Sequence, residues 1–327
     1  MIRHRLVAAI LTIGCALGAI VPASSQTFPS RPVTIVVPYP AGGPTDTIAR
    51  LIGDRVRISL GQPVIIENVA GAGGNLGVGR VARSAPDGYT LSIGHWGSHV
   101  VNGAIYTLPY DVLGDFEPVA LVSDGPQLIV AAKSVPAKDL QELIAWLKAN
   151  PGKAMLGTTG VGGASHLAGL LFQKTTGTDL QIVPYRGAAP RMHDMLSGLI
   201  HLAFDQAASA LPQVHGGKLA AYAVTSKNRL AVAPEIATVD EAGLPGFYIS
   251  VWHGLWVPKA TPNEVVHKLN SAVVDALADA TVRARLTELG QELPARERQT
   301  PEALGAYQKA EIEKWWPIVK AAGIKVE

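Results

Sequence analysis

Cysteine is nearly missing. The single one in 327 residues is Cys15, and it lies in an N-terminal segment that reads as a leader. Without that segment the chain has no thiol, which excludes disulfide staples, thiol catalysis and thiolate metal sites. Such a chain must be held by its core alone. An excess of one charge is missing too. Lys and Arg total 28 against 26 for Asp and Glu, a net charge of +2 with the nine histidines neutral. The basic residues are scattered and do not interleave with aromatics, so the field that nucleic acid requires is absent. Charged residues are only 17% of the chain and hydrophobic residues 48%. That composition excludes extended disorder and supplies a large core.

The N-terminus is a separate object. "MIRHR" is a short basic head, "LVAAILTIGCALGAIV" (Leu6–Val21) an apolar run, and "PASSQ" a set of small residues. This is the layout of a secretory signal peptide, with cleavage after Ala23 or Ser25. The run is too short for a comfortable membrane span. A lipid-modified Cys15 is disfavoured, because apolar residues continue past it to Val21 and Thr12-Ile13-Gly14 lacks a leading Leu. Residues 1–25 are therefore assigned to a signal peptide and export is expected.

From there strand-like and helical runs alternate. "VTIVVP" is β-branched, "DTIARLIGDRVRISL" has Ile48, Leu51, Ile52 and Val56 at helical spacing, and "PVIIEN", "NLGVGRVARS" and "GYTLSIG" continue the rhythm. The pattern predicts a mostly parallel sheet covered by helices. "PQLIVAAK", "AKDLQELIAWLKANP", "KAMLGTTG", "ASHLAGLLFQKTTG", "LQIVPY", "AAPRMHDMLSG", "IHLAFD" and "LAAYAVTS" repeat it. Two α/β lobes are expected. From "SVWHGLWVPKA" onward only helices are read, two of them opening on Thr-Pro pairs at Thr261 and Thr300, taken as N-caps. These helices are expected to return to the first lobe. The division is 26–127 plus 255–327 for lobe 1 and 128–254 for lobe 2, with two crossings suited to hinge closure.

Four strand–glycine–helix junctions carry the candidate chemistry. "YPAGGPTDT" lacks the lysine of a triphosphate loop, which leaves a helix start suited to a small anion, with Thr45 or Asp46 able to cap. "VAGAGGNLG" resembles a dinucleotide fingerprint but has the wrong last spacing, so a structural turn is preferred to NAD. "GTTGVGGASH" and "PYRGAAP" complete the set. Two junctions per lobe around a shared cleft would hold anionic groups.

Other constellations are weaker. Ser165, Asp205 and His253 occur in the order of a hydrolase triad, but Gly163-Ala164-Ser165-His166-Leu167 lacks the final glycine of a nucleophile elbow. An N-cap role suits Ser165 better. His95 and His99 are four apart without a third ligand, so no metal is expected. Asp205 is balanced between ligand contact and capping the next helix. Arg186 is either a carboxylate partner or a solvated arginine. Trp96, Trp252 and Trp256 are assigned to core packing by default, with Trp96 beside His95 and Ser98 open to a pocket role.

Together these stretches resemble the periplasmic substrate-binding proteins of tripartite tricarboxylate transporters, the Bug or TctC family, from Phe28 to about Ile324. The resemblance rests on "PSRPVTIVVPYPAGGPTDTIAR", "GQPVIIENVAGAGGNLG", "APDGYTL", "PYDVLGDFEPV", "GGASHLAGLLF", "VPYRGAAP", "FDQAASALP", "AVTSKNR" and "TPEALGAYQKAEIEKW". It implies a two-lobe, type II periplasmic-binding-protein fold with a hinge. It also implies a small carboxylate, often a dicarboxylate, gripped by backbone N–H groups and hydroxyls, partly through water. Carried over, Tyr39, Ala41, Gly43, Thr45 and Asp46 line one side. Ser165, His166, Gly187, Ala188 and Asp205 line the other, and Ser98 and His99 form an edge. Ala164, Arg186 and Trp96 join them as candidate contacts outside that carry-over.

Two departures stand out. Gly162-Gly163-Ala164 has fewer hydroxyls than the family loop, and Trp96 stands where a small polar residue is common. Both suggest a less polar distal pocket, suited to an aromatic or longer monocarboxylate. The expected protein is a monomeric, cofactor-free solute-binding protein that delivers its solute to membrane-embedded transporter subunits. A secreted esterase using Ser165, Asp205 and His253 is the alternative, and a ligand sensor without a transport role is a third reading.

Overall fold

A computed structural model describes residues 28–185 and 187–324. The signal-peptide reading, Cys15 and Arg186 fall outside those residues. The first set of elements is β1 (Val33–Val37), α1 (Pro44–Leu60), β2 (Val64–Asn68), α2 (Asn75–Ala82) and β3 (Thr90–His95). A π-turn at Gly97–Val101 leads into the one-turn α3 (Asn102–Ile105) and then β4 (Phe116–Ser123). The second set is β5 (Gln127–Ala132), α4 (Leu140–Ala149), β6 (Met155–Thr158), α5 (Ala164–Thr176), β7 (Gln181–Pro184), α6 (Ala188–Leu196), β8 (Leu202–Gln206), α7 (Ala207–His215) and β9 (Leu219–Val224). Then come β10 (His253–Pro258), α8 (Asn263–Ala278), α9 (Ala280–Glu288) and α10 (Pro301–Ala321).

The strands form two five-stranded sheets, β2-β1-β3-β10-β4 and β7-β6-β8-β5-β9. In the first, β1 is parallel to β2 and β3, and β10 runs antiparallel to β3 and β4. In the second, β6 is parallel to β7 and β8, and β5 runs antiparallel to β8 and β9. Each sheet is thus mixed, with one reversed strand among four that run the same way. Strands such as β5 are buried along their whole length, as a sheet covered on both faces requires. Helices α8 and α10 pack on β4, and α8 also packs on α1.

Three elements differ from the expectation. β10 occupies a stretch assigned only to helices; all six of its residues are buried, so "HGLWVP" has no alternation to mark it. β4 was likewise unmarked. α7 lies between two runs read as adjacent strands, and it contains Pro212, which obscures its pattern. One cap is also displaced. The N-cap of α8 is Pro262, while the Thr261 hydroxyl donates to the Pro258 carbonyl at 2.7 Å. Thr300 does cap α10, accepting from the Ala303 amide.

The chain passes between the sheets twice, at Asp124–Pro126 and Ser250–Val251, and these segments pair. Val251 N donates to Gly125 O at 2.9 Å, and Pro126 bridges Ser250. Asp124 is bonded both ways to Glu292, at 2.7 and 2.8 Å. A short, doubly tied connection of this kind confines relative motion of the sheets to a few backbone torsions.

Candidate functional site

The opening loop follows β1 and ends on α1. Gly42 has φ +80, a left-handed turn that glycine adopts freely. The N-cap of α1 is Gly43, not Thr45 or Asp46, and no side chain caps it. Pro44 has no N–H, so the amides of Thr45 and Asp46 are the donors this helix start presents. The Asp46 carboxylate is already engaged. It accepts from Gly42 N at 2.9 Å, from Asn68 Nδ2 at 2.9 Å and from Arg50 Nε and Nη2 at 3.0 Å each. Burial pulls its pKa up, but these hydrogen bonds outweigh burial and leave it lowered. Asn68 also donates to Tyr39 O at 3.0 Å. Asp46 therefore braces the loop through its side chain, and only its amide remains for a ligand.

Tyr39 stacks on His95, with ring centroids 4.5 Å apart and nearly parallel planes. Desolvation raises the phenol's pKa, so it stays protonated. The second glycine loop packs beneath: a Cβ on Gly74 would meet the Tyr39 hydroxyl at 3.2 Å, and one on Gly77 would meet Pro38 Cα at 2.8 Å. "VAGAGGNLG" thus serves close backbone packing. Its Asn75 Oδ1 accepts from Asn102 Nδ2 at 2.6 Å and from the Tyr110 hydroxyl at 3.2 Å.

The stretch after β3 divides. His95 Nδ1 accepts from Gly97 N at 2.9 Å, and burial lowers its pKa to about 4. Ser98 and His99 are fully buried. The Ser98 hydroxyl bonds the backbone of His95, and His99 stacks on Trp256 at 3.7 Å with its pKa lowered by burial to about 3. Trp96 is also wholly buried, edge-on to Trp315 at 4.9 Å. The side chains of Trp96, Ser98 and His99, read as pocket candidates, thus pack in the core of this structure. The less polar distal pocket loses its Trp96 support.

On the second sheet the loop 159–163 follows β6 and leads to α5, whose N-cap is Gly163. Ser165 is therefore inside the helix rather than at its cap. Its Oγ accepts from Thr159 N at 2.9 Å and pairs with the Thr159 hydroxyl at 3.1 Å. His166 Nδ1 accepts from Gly162 N at 2.8 Å, and burial lowers its pKa. The ring thus folds the loop back onto the helix start and keeps Nε2–H as a donor. Gly187, at φ +115, is the N-cap of α6, whose first residue is Ala188. Ala164 and Ser165, like Thr45 and Asp46, present amides without intrahelical partners.

Asp205 lies near the end of β8, 5% exposed. Its Oδ2 is 2.5 Å from Arg191 Nη2, and its Oδ1 accepts from Gln206 N at 2.8 Å. It neither caps the next helix nor points freely at a cleft; it neutralises a buried arginine. Arg191 was missed in the sequence, where it reads as one polar residue of α6. Its only signal is its place four residues before the buried Met195.

The triad does not assemble. Ser165 is tied to Thr159, Asp205 to Arg191, and His253 sits in the first sheet between Thr45 and Ser123. Among the described residues no group of three or more His, Cys, Asp or Glu side chains is arranged to hold a metal ion. None of the helices among them is long and apolar enough to cross a membrane. Surface cavities of about 570 and 340 Å³ lie beside α8, lined by residues such as Asn270, Arg296 and Arg283, away from both loops.

Known proteins decide the family. Residues 48–324 match the model of the tripartite tricarboxylate transporter family receptor. The chain belongs to this receptor family. Protein BugT of Bordetella pertussis is 34% identical over 326 residues, covering 99% of each chain. The structure of MatC from Rhodopseudomonas palustris with bound malate is 41% identical, covers 89% of this chain and 100% of its own, and superposes with a TM-score of 0.80. A further R. palustris structure, with adipate, is 34% identical, with coverage of 91% and 99% and a TM-score of 0.82. As a receptor rather than an enzyme, the chain has the two-lobe periplasmic-binding-protein fold of its relatives.

Proposed function

We propose that this protein captures a small carboxylate between its two lobes in the periplasm and delivers it to a membrane-embedded tripartite tricarboxylate-type transporter. The observation that carries the proposal is the pair of uncapped helix starts at α1 and α5. Each follows a parallel strand through a glycine loop, and each presents free amides and the positive end of a helix dipole. Two such ends match the two carboxylates of a short dicarboxylate. The malate and adipate held by the R. palustris relatives support that solute class. Lobe 1 takes β1–β4 together with β10 and the helices after it, and lobe 2 takes β5–β9. The boundaries thus fall at the two crossings, a few residues from the 127/128 and 254/255 divisions read in the sequence. The 1–25 segment directs export. Tyr39, Ala41, Gly43 and the amides of Thr45 and Asp46 form one jaw. Ala164, Ser165, His166, Gly187 and Ala188 form the other. The protein works as a monomer.

A thermal-shift screen of the mature chain against C4–C6 carboxylates tests this. A bound solute at 100 times its Kd stabilises by about 2.7 kcal/mol, visible as a rise of several degrees in Tm. An unmoved Tm across the whole panel contradicts the proposal.

A further inference from the structure

His253 joins parts of the molecule that the solute site leaves separate. It opens β10 and is fully buried. Its Nε2 lies 3.2 Å from Thr45 Oγ1, on the first turn of α1. Its Nδ1 lies 3.3 Å from Ser123 Oγ, at the last residue of β4 before the chain crosses. Ser123 Oγ donates to Gln291 Oε1 at 2.9 Å. The neighbouring Glu292 holds Asp124 of the crossing segment through its backbone.

The direction of this chain follows from counting protons. A hydroxyl has one proton to donate, and a neutral imidazole has one. Gln291 is 5% exposed, and its amide oxygen needs the Ser123 proton to be satisfied. Ser123 must then accept from His253 Nδ1–H. Burial lowers the pKa of His253 well below the usual value, so the ring is neutral and Nε2 is bare. Thr45 Oγ1 therefore donates to Nε2. Its proton is committed, and only lone pairs remain for any other partner.

We propose that His253 is a positioning residue that fixes the Thr45 hydroxyl as a hydrogen-bond acceptor toward the solute, so that the site selects acids with a hydroxyl donor beside the carboxylate. This inference rests on the carboxylate-binding reading. The solute carboxylate meets the amides of Thr45 and Asp46, which donate. The adjacent solute hydroxyl meets Thr45 Oγ1, which accepts. A deoxy acid leaves that acceptor without its partner.

The test is calorimetric titration of malate, succinate and adipate into the wild-type chain and into Thr45→Val, Thr45→Ser and His253→Phe. It is joined by a long-range ¹⁵N spectrum of the histidines in the wild type. The expected result is roughly ten-fold tighter binding of malate than of succinate. That ratio persists in Thr45→Ser and falls toward one in Thr45→Val and His253→Phe, and the spectrum shows His253 protonated at Nδ1. Should His253→Phe fail to fold, the Thr45 pair and the spectrum still decide. Equal binding of malate and succinate, a ratio unmoved by Thr45→Val, or a proton on Nε2 overturns the inference. Binding of adipate without either C4 acid overturns it and leaves the functional reading standing. Binding of none of the three while another acid of the C4–C6 panel raises Tm overturns the inference alone, and an unmoved Tm across that whole panel overturns both.

Discussion

The guanidinium of Arg191 on α6 and the carboxylate of Asp205 near the end of β8 lie 2.5 Å apart, with Arg191 wholly buried. Gly157 makes room for them, since a Cβ there would meet Arg191 Cγ at 2.8 Å. Removing one partner strands the other's charge in the core. Arg191→Ala should destabilise the protein by about 3–5 kcal/mol in urea unfolding, and Arg191→Met combined with Asp205→Leu should recover most of the loss. A single variant as stable as wild type would mean that the pair is solvated.

Gly77 lets two loops touch. A Cβ there would lie 2.8 Å from both Pro38 Cα and Val69 O, and both contacts are backbone, which cannot swing aside. Gly77→Ala should cost about 1–3 kcal/mol and displace the opening loop, weakening solute binding as well. Wild-type affinity in this variant would separate the second loop from the site.

Ser165 organises its loop rather than attacking a substrate. Ser165→Ala removes the acceptor of the Thr159 amide on an exposed loop, where water can replace it, and should cost about 0.5–1.5 kcal/mol. Hydrolysis of a test ester should match the buffer blank in both wild type and variant. Turnover abolished by the substitution would restore the esterase reading.

The buried histidines make the fold sensitive to acid. The folded-state pKa of His95 is lowered to about 4, from an ordinary 6.5. Between these values the unfolded chain binds a proton that the folded chain refuses. Its contribution is therefore present above pH 6.5 and is lost as pH falls toward 4. Discounted for partial exposure, it amounts to roughly 1–2 kcal/mol. The loss of stability between pH 7 and 4.5 should be smaller in His95→Gln than in wild type, measured by urea unfolding at each pH. Identical pH profiles would contradict this.

Much of the fold was legible because its parallel strands are β-branched runs bounded by glycine turns, as at Val33–Val37 and the loop before Pro44. β10 was not, because a strand buried on both faces has no alternation, and α7 was hidden by Pro212. At the candidate site the glycine loops stood out, but the partners of their side chains did not. Asp46 looked free until Arg50 and Asn68 were seen to close on it. His253 looked like a triad member because its true partners, Thr45 and Ser123, are 208 and 130 residues away. Trp96 was open to a pocket role, and only its packing on Trp315 places it in the core.

The central claim is that amides at two helix starts hold carboxylate groups. The most direct measurement is calorimetric titration of the best-binding dicarboxylate beside its diamide, which has the same length but no charge. The expected result is saturable binding of one acid per chain and loss of binding by the diamide. A diamide that binds as tightly as the acid would contradict the account.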